Sequence, residues 1–351
     1  GLTKSLADLG VNIDLYLPSF DSNEEFTSNN EKLIIKRIDG TLVFPYDNPT
    51  SIKIDSQDFF EKVNRYNQLC VEKVKGDYDL IHCHDWLTIK AGVKLKNKLG
   101  IPLVLTIHST EFDRSGWLNP NDWFINIERE GMLNADVVIT VSYFTRQILI
   151  EKYGIPADKI RVVHNAVTPI GEGEKKNIVL FLGRLTLQKG PEFFIKAAKK
   201  VVKKEKNCTF VVAGSGDMLP KLIHQAVDLG ISNKVIFTGA LTDDEVKHIY
   251  RIAKVYVLPS VSEPFGITVL EALSAGTPVI VSKRAGVAEV LKHCLRVDFW
   301  DVDDMANKII SLLRYKPLWK TLSKKGKEEA GFFTWEKAAQ KTLDIYHEVI
   351  S

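Results

Sequence analysis

The run Ile178-Val-Leu-Phe-Leu-Gly-Arg-Leu-Thr-Leu-Gln-Lys-Gly-Pro191 reads as strand, loop and helix. Its unbroken apolar opening suits a strand covered on both faces. The strand ends at Gly183, and Pro191 opens a helix, where its missing N–H is not needed. The same alternation continues outward from this unit. Further strands are expected at 208–213, 234–238, 255–259, 278–282 and 295–298, with helices starting near Met218, Thr242, Gly266 and Gly286. Thr242 with Glu245 makes a capping box for one of them.

The first half repeats the pattern less cleanly. Strands are expected near 11–17, 79–83, 102–107, 136–140 and 160–163, and helices near 56–74, 87–99, 120–134 and 142–153. Parallel strands need crossover helices, so strict alternation implies an α/β fold of parallel sheets covered on both faces. A chain of 351 residues exceeds one compact core. The stretch Pro169–Asn177, with Gly171, Gly173 and no apolar periodicity, divides it. Residues 1–168 and 169–333 are therefore two Rossmann-like domains facing across a cleft, and the helix within 334–351 is free to return to the first. Ligands of open parallel sheets bind at the carboxyl ends of the strands, which places the site in that cleft. At the start, Leu2–Leu9 reads as the later part of a helix closed by Gly10, with a strand and turn expected ahead of it.

Composition narrows the function. Apolar residues at 45% and charged residues at 26% describe an ordinary globular chain, and a net charge of +3 gives no argument for nucleic acid. No apolar run reaches the roughly 18 residues of a membrane span, and no secretory leader opens the chain, so a cytoplasmic location is expected. Cys70, Cys83, Cys208 and Cys294 lie far apart and read as reduced thiols. His82 and His84 share a strand face, but no third ligand is visible for a metal.

Four stretches carry chemistry. Arg184 and Lys189 lie between a strand end and a helix start, a fitting pyrophosphate site; two solvated cations are the competing reading. In Pro259-Ser-Val-Ser-Glu-Pro-Phe-Gly-Ile-Thr-Val-Leu-Glu271, the first amides of a helix at Gly266, Ile267 and Thr268 are candidates for phosphate or sugar oxygens. Glu263 and Glu271 are suited to hold vicinal diols, against a bland reading as a cap and a solvated face. Gly214-Ser-Gly216 lacks the third glycine and the later acidic residue of a dinucleotide fingerprint, so Gly214 is read as letting the backbone approach a nucleotide. In the first half, His82-Cys-His-Asp-Trp86 and His108-Ser-Thr-Glu-Phe-Asp-Arg114 both end strands that face the cleft.

These residues together resemble the retaining glycosyltransferases of family 4, which have the GT-B architecture. The resemblance rests on Gly183–Gly190, Gly214–Asp217, the two glutamates with seven residues between them at Glu263 and Glu271, and Ser274–Ile280. It is supported by His84-Asp-Trp86, Thr106–Thr110 and Phe333-Thr-Trp-Glu336, the last resembling the start of a helix that crosses back. The resemblance implies a nucleoside-diphosphate sugar as donor, no cofactor and no metal. It implies that Arg184 and Lys189 bind the pyrophosphate, Glu271 the ribose, and Glu263 the hydroxyls of the transferred sugar. His108 would act beside the reacting carbon. Gly183, Gly214, Phe265, Gly266, Ile267 and Thr268 would line the donor, Leu241 the base, and Asp85 and Glu111 the acceptor side.

The acceptor would be a saccharide, a glucan or a lipid-linked sugar. A lipid acceptor would bring the chain to a membrane surface, with Lys90, Lys94, Lys96 and Lys98 as its cations, against a reading of those lysines as a solvated helix face. Glycogen and starch synthases are related and share His84-Asp-Trp86, although Glu271 favours family 4 or the archaeal-type synthases. A glycine-rich loop of the family would precede Gly1. A sugar-nucleotide epimerase and an inactive sugar-nucleotide-binding fragment are the alternatives.

Overall fold

The structure, a computed structural model, describes residues 1–19, 30–39 and 56–351. In the first half the elements are α1 (Leu2–Asp8), β1 (Ile13–Pro18), β2 (Leu33–Ile38), α2 (Ser56–Lys73), β3 (Ile81–His84), α3 (Trp86–Leu99) and β4 (Leu103–Ile107). They continue as α4 (Glu111–Arg114), α5 (Asp122–Asn134), β5 (Val137–Thr140), α6 (Tyr143–Tyr153) and β6 (Ile160–Val162). Strands β3-β4-β5-β6 form one parallel sheet in that order, and β1 pairs with β2 in a separate parallel pair. An apolar cavity of about 380 Å³ lies between β1 and β3, bordered by Leu15, Leu17, Val63, Leu80 and Cys83.

The second half comprises β7 (Ile178–Leu182), α7 (Pro191–Lys204), β8 (Thr209–Ala213), α8 (Leu219–Asp228), β9 (Val235–Gly239) and α9 (Asp243–Ile252). It continues with β10 (Val255–Leu258), α10 (Ile267–Ser274), β11 (Val279–Ser282), β12 (Leu295–Val297), α11 (Val302–Arg314) and α12 (Lys316–Ala330). Its six strands are parallel in the order β12-β11-β10-β7-β8-β9. One core, with Val179, Phe181, Phe194, Phe210 and Ile309, covers one face; the other face buries Leu180, Tyr256, Val269 and Leu273. Residues adjacent along β7 enter opposite cores because strand side chains alternate.

Local signals explain most element ends. Pro191 opens α7 at its first turn, and Thr242 caps α9 in a full capping box with Glu245. Two expectations need correction. The helix expected at Gly286 is only a short 3₁₀ turn, Gly286–Glu289, whose first amides at Gly286 and Val287 go to the Glu263 and Phe265 carbonyls and whose Glu289 side chain docks on α6. Strand β2 was not expected, since Leu33-Ile-Ile-Lys-Arg-Ile38 has no clean alternation and Ile34 is exposed on it.

The final helix α13 (Trp335–Ile350) packs on the first half. Its Ala338, Ala339, Ile345 and Tyr346 share a core with Leu6 of α1 and with Val104, Val137 and Ile139 of the sheet. The chain thus crosses between the halves near residue 167 and again near 333, where Val167 N–H donates to the Phe333 carbonyl at 3.0 Å.

Candidate active site

Loops that leave the carboxyl ends of β7, β10 and β11 in the second half meet those that leave β4 and β5 in the first. Within the second half, the Gly183–Gly190 and Pro259–Gly266 loops lie backbone against backbone. The Gln188 carbonyl accepts Val261 N–H at 2.9 Å, and a Cβ on Gly190 would stand 2.3 Å from the Pro259 oxygen. Gly190 has a left-handed φ of 62°, which glycine adopts without strain. This approach brings Lys189 to Glu263: Nζ donates to Oε2 at 2.6 Å, and Ser260 Oγ donates to the same oxygen at 3.2 Å. The pair is shielded, with the Glu263 side chain only 8% exposed, so each charge depends on the other. Arg184 lies on the same loop, with Nη2 donating to Gln188 Oε1 at 3.4 Å.

Helix α10 starts beyond this pair. Gly266, at φ 106°, precedes it, and no side chain caps it. The first amides of α10, at Ile267 and Thr268, thus remain without an intrahelical acceptor. Glu271 lies one turn further on, where Tyr250 Oη donates to its Oε2 at 3.0 Å. Burial pushes the Glu271 carboxyl above the usual carboxylate range, and the Tyr250 hydrogen bond opposes this. Leu241, half-buried, follows β9 at the same rim. Phe265 is buried, with its ring against His164 and Phe333.

Gly214 is required by the packing of the loops themselves. A Cβ there would stand 2.0 Å from the Gly183 oxygen, so the close approach that requires glycine is between the β7 and β8 loops. Both residues still border the rim.

In the first half, Asp85 lies between β3 and α3 with φ 55°, an uncommon value for a residue other than glycine. Its Oδ1 accepts His108 N–H at 2.7 Å and thereby holds the loop after β4. The His108 ring meets His84, Nε2 to Nδ1, at 2.9 Å. Glu111, expected on the acceptor side, is instead turned into the domain. Its carboxylate accepts Asn121 N–H and Arg114 Nη2, each at 3.1 Å, within a buried network that includes Glu128 and Tyr153. Lys96 and Lys98 are also engaged locally, by Asp136 and by the Val71 carbonyl, and Lys90 by Asn64.

Sequence reasoning missed the residues that join the halves. Ser262 Oγ donates to Asp113 Oδ1 at 2.6 Å and accepts Trp117 Nε1–H at 3.2 Å. Ser142 Oγ donates to the Pro264 carbonyl at 2.6 Å. The Glu289 carboxylate receives the first amides of α6, Tyr143 N at 2.8 Å and Phe144 N at 3.0 Å, together with His164 Nε2 at 2.9 Å. A carboxylate at a helix N-terminus complements its dipole. Only the position of Ser262 beside Glu263 hinted at this contact in the sequence.

Two parallel-sheet domains facing across a loop-lined cleft define the GT-B class of glycosyltransferase. The glycosyl transferases group 1 family model matches residues 165–329, and the Glycosyltransferase Family 4 model matches residues 1–169. An uncharacterized glycosyltransferase of Methanocaldococcus jannaschii is 35% identical over 77% of this chain and 75% of its own length. The chain therefore belongs to the family 4 glycosyltransferases. The mannosylfructose-phosphate synthase of Agrobacterium fabrum is 26% identical over 98% of this chain and 84% of its own, and the D-inositol 3-phosphate glycosyltransferase of Salinispora arenicola is 28% identical over 80% and 70%. Among solved structures, sucrose-phosphate synthase from Thermosynechococcus elongatus has a TM-score of 0.82 at 22% identity, covering 99% of this chain and 91% of its own. Anabaena HepE, in complex with UDP and glucose, has a TM-score of 0.75 at 17% identity, covering 98% and 94%.

Proposed function

We propose that this glycosyltransferase takes a sugar from a nucleoside-diphosphate sugar and passes it to a hydroxyl acceptor with retained configuration and without a metal. The observation that carries this reading is the shielded Lys189–Glu263 pair beside the uncapped start of α10. As the bond from the anomeric carbon to the β-phosphate oxygen breaks, its electron pair goes to phosphate. Lys189, Arg184 and the amides of Ile267 and Thr268 stabilise that charge in a site fixed beforehand. Glu263 binds hydroxyls of the transferred sugar and Glu271 the ribose diol. The acceptor oxygen attacks from the face the phosphate leaves, and its proton passes to a departing phosphate oxygen.

His108 borders the sugar and Asp85 holds its loop in place. The related mannosylfructose-phosphate and inositol-phosphate enzymes favour a small sugar or polyol as acceptor over a glucan or a lipid-linked sugar. The test is calorimetric titration of the wild type and Glu271→Ala with UDP, ADP and GDP, followed by a transfer assay with the matching sugar nucleotide. Binding of one nucleotide that weakens in the variant supports the reading and names the base. Binding of none overturns it.

A further inference from the structure

Strands β3 and β4 lie side by side, with His84 opposite Thr106 in register, and bring three histidines to one corner of the cleft. His82 is held at both ring nitrogens: Nδ1 meets Tyr346 Oη of α13 at 2.6 Å, and Nε2 meets Thr106 Oγ1 at 2.7 Å. Its ring stacks on His84, centroids 4.4 Å apart and planes 26° from parallel. The His84 ring in turn lies 13° from the plane of His108, with its Nδ1 at 2.9 Å from His108 Nε2. The His84 backbone is fixed as well, since Thr88 Oγ1 accepts its N–H and donates to its carbonyl, both at 2.9 Å. Burial and the neighbouring imidazoles push the His84 and His82 rings down, His82 to about 3, so both are neutral at ordinary pH.

The hydrogen bond between His84 Nδ1 and His108 Nε2 holds one proton and links the tautomers of the two rings. If His84 Nδ1–H donates, His108 carries its own proton on Nδ1 and offers a donor. If His108 Nε2–H donates, Nδ1 offers a lone pair. In both cases only Nδ1 of His108 is left for another partner.

We propose that His84 is a positioning residue for His108, holding its ring through Nε2, coupling its tautomer to its own and presenting Nδ1 alone to a hydroxyl of the donor sugar. His82, clamped by Tyr346 and Thr106, is the wall against which His84 is held. The inference rests on the reading that His108 borders the donor sugar.

The experiment follows the His108 ring nitrogens by long-range proton–nitrogen correlation NMR in the wild type, His84→Phe and His84→Asn. Phenylalanine keeps the stack without the hydrogen bond, and asparagine returns a polar atom near the Nδ1 position. Expected are one protonated and one bare nitrogen on His108 in the wild type, averaged nitrogens in His84→Phe, and separate nitrogens again in His84→Asn. In transfer assays His84→Phe should lower kcat about 3- to 10-fold, the worth of one neutral hydrogen bond, with nucleoside diphosphate affinity unchanged. Averaged nitrogens in the wild type, or unchanged nitrogens in His84→Phe, overturn the proposal. A tautomer change in a chain that transfers no sugar would fault the transferase reading and leave the histidine coupling standing.

Discussion

Ser262 of the second half donates its hydroxyl hydrogen to Asp113 of the first at 2.6 Å, one residue before the glutamate that pairs with Lys189. Asp113 is fully buried, and its other oxygen is taken by Thr110. The contact therefore ties the packing of the two halves to the placement of Glu263. Ser262→Ala leaves the Asp113 Oδ1 and the Trp117 indole N–H without these partners. An unsatisfied buried group costs about 1–3 kcal/mol. The variant should melt several degrees lower and show a larger radius of gyration by small-angle scattering. An unaltered melting curve and scattering profile would show that this contact does not hold the halves together.

Lys189 and Glu263 make a pair with little access to water. Lys189→Ala leaves the Glu263 charge partly buried and removes a cation from the phosphate site. Its kcat should fall about 10²- to 10³-fold, as when a preorganised donor to a developing anion is lost. Lys189→Met keeps the volume and should recover part of the lost stability but none of the rate. Arg184→Ala should slow transfer in the same direction. Near-normal turnover in both alanine variants would remove these residues from the reaction.

Gly214 is held by geometry. A Cβ would meet the Gly183 oxygen at 2.0 Å, and φ is 130°. Gly214→Ala should destabilise the second half by on the order of 3 kcal/mol, read as a lower urea midpoint with an unchanged slope. A midpoint equal to wild type would mean that the two loops separate freely.

Glu271 links pH to binding. Burial raises its carboxyl in the folded protein. The folded state thus keeps this proton to higher pH than the unfolded chain. Its contribution to stability is full below the unfolded carboxylate range and is lost as pH rises through the raised folded value. Binding of a ribose diol needs the opposite form, since only the carboxylate accepts two hydroxyl protons. Nucleotide affinity should therefore weaken as pH falls through that raised value, and Glu271→Gln should bind weakly with a flat profile. A wild-type affinity that does not change across that range would count against the ribose role.

The alternation of apolar runs and helices was legible because each strand of a parallel sheet is apolar throughout and each crossover helix has its own start signals. Pro191 and the Thr242–Glu245 box are local chemistry, and the structure places both where the sequence predicts. The Lys189–Glu263 pair was half legible. Both residues stood out, but nothing in a separation of 74 positions says that they touch. That contact follows from β7 and β10 lying side by side, which a pattern read along the chain does not contain.

The sequence by itself determined the α/β class and the loops that carry the cations and glutamates, because these depend on composition and spacing within a few turns. The tertiary structure alone decided which of those groups point at each other. It turned Glu111 inward to Arg114, gave Gly214 the Gly183 carbonyl as its reason, and set Ser262 on Asp113 and Glu289 on α6. Such contacts join residues far apart in the chain. They are fixed by how two sheets and their loops pack, so the local signals of either partner do not record them.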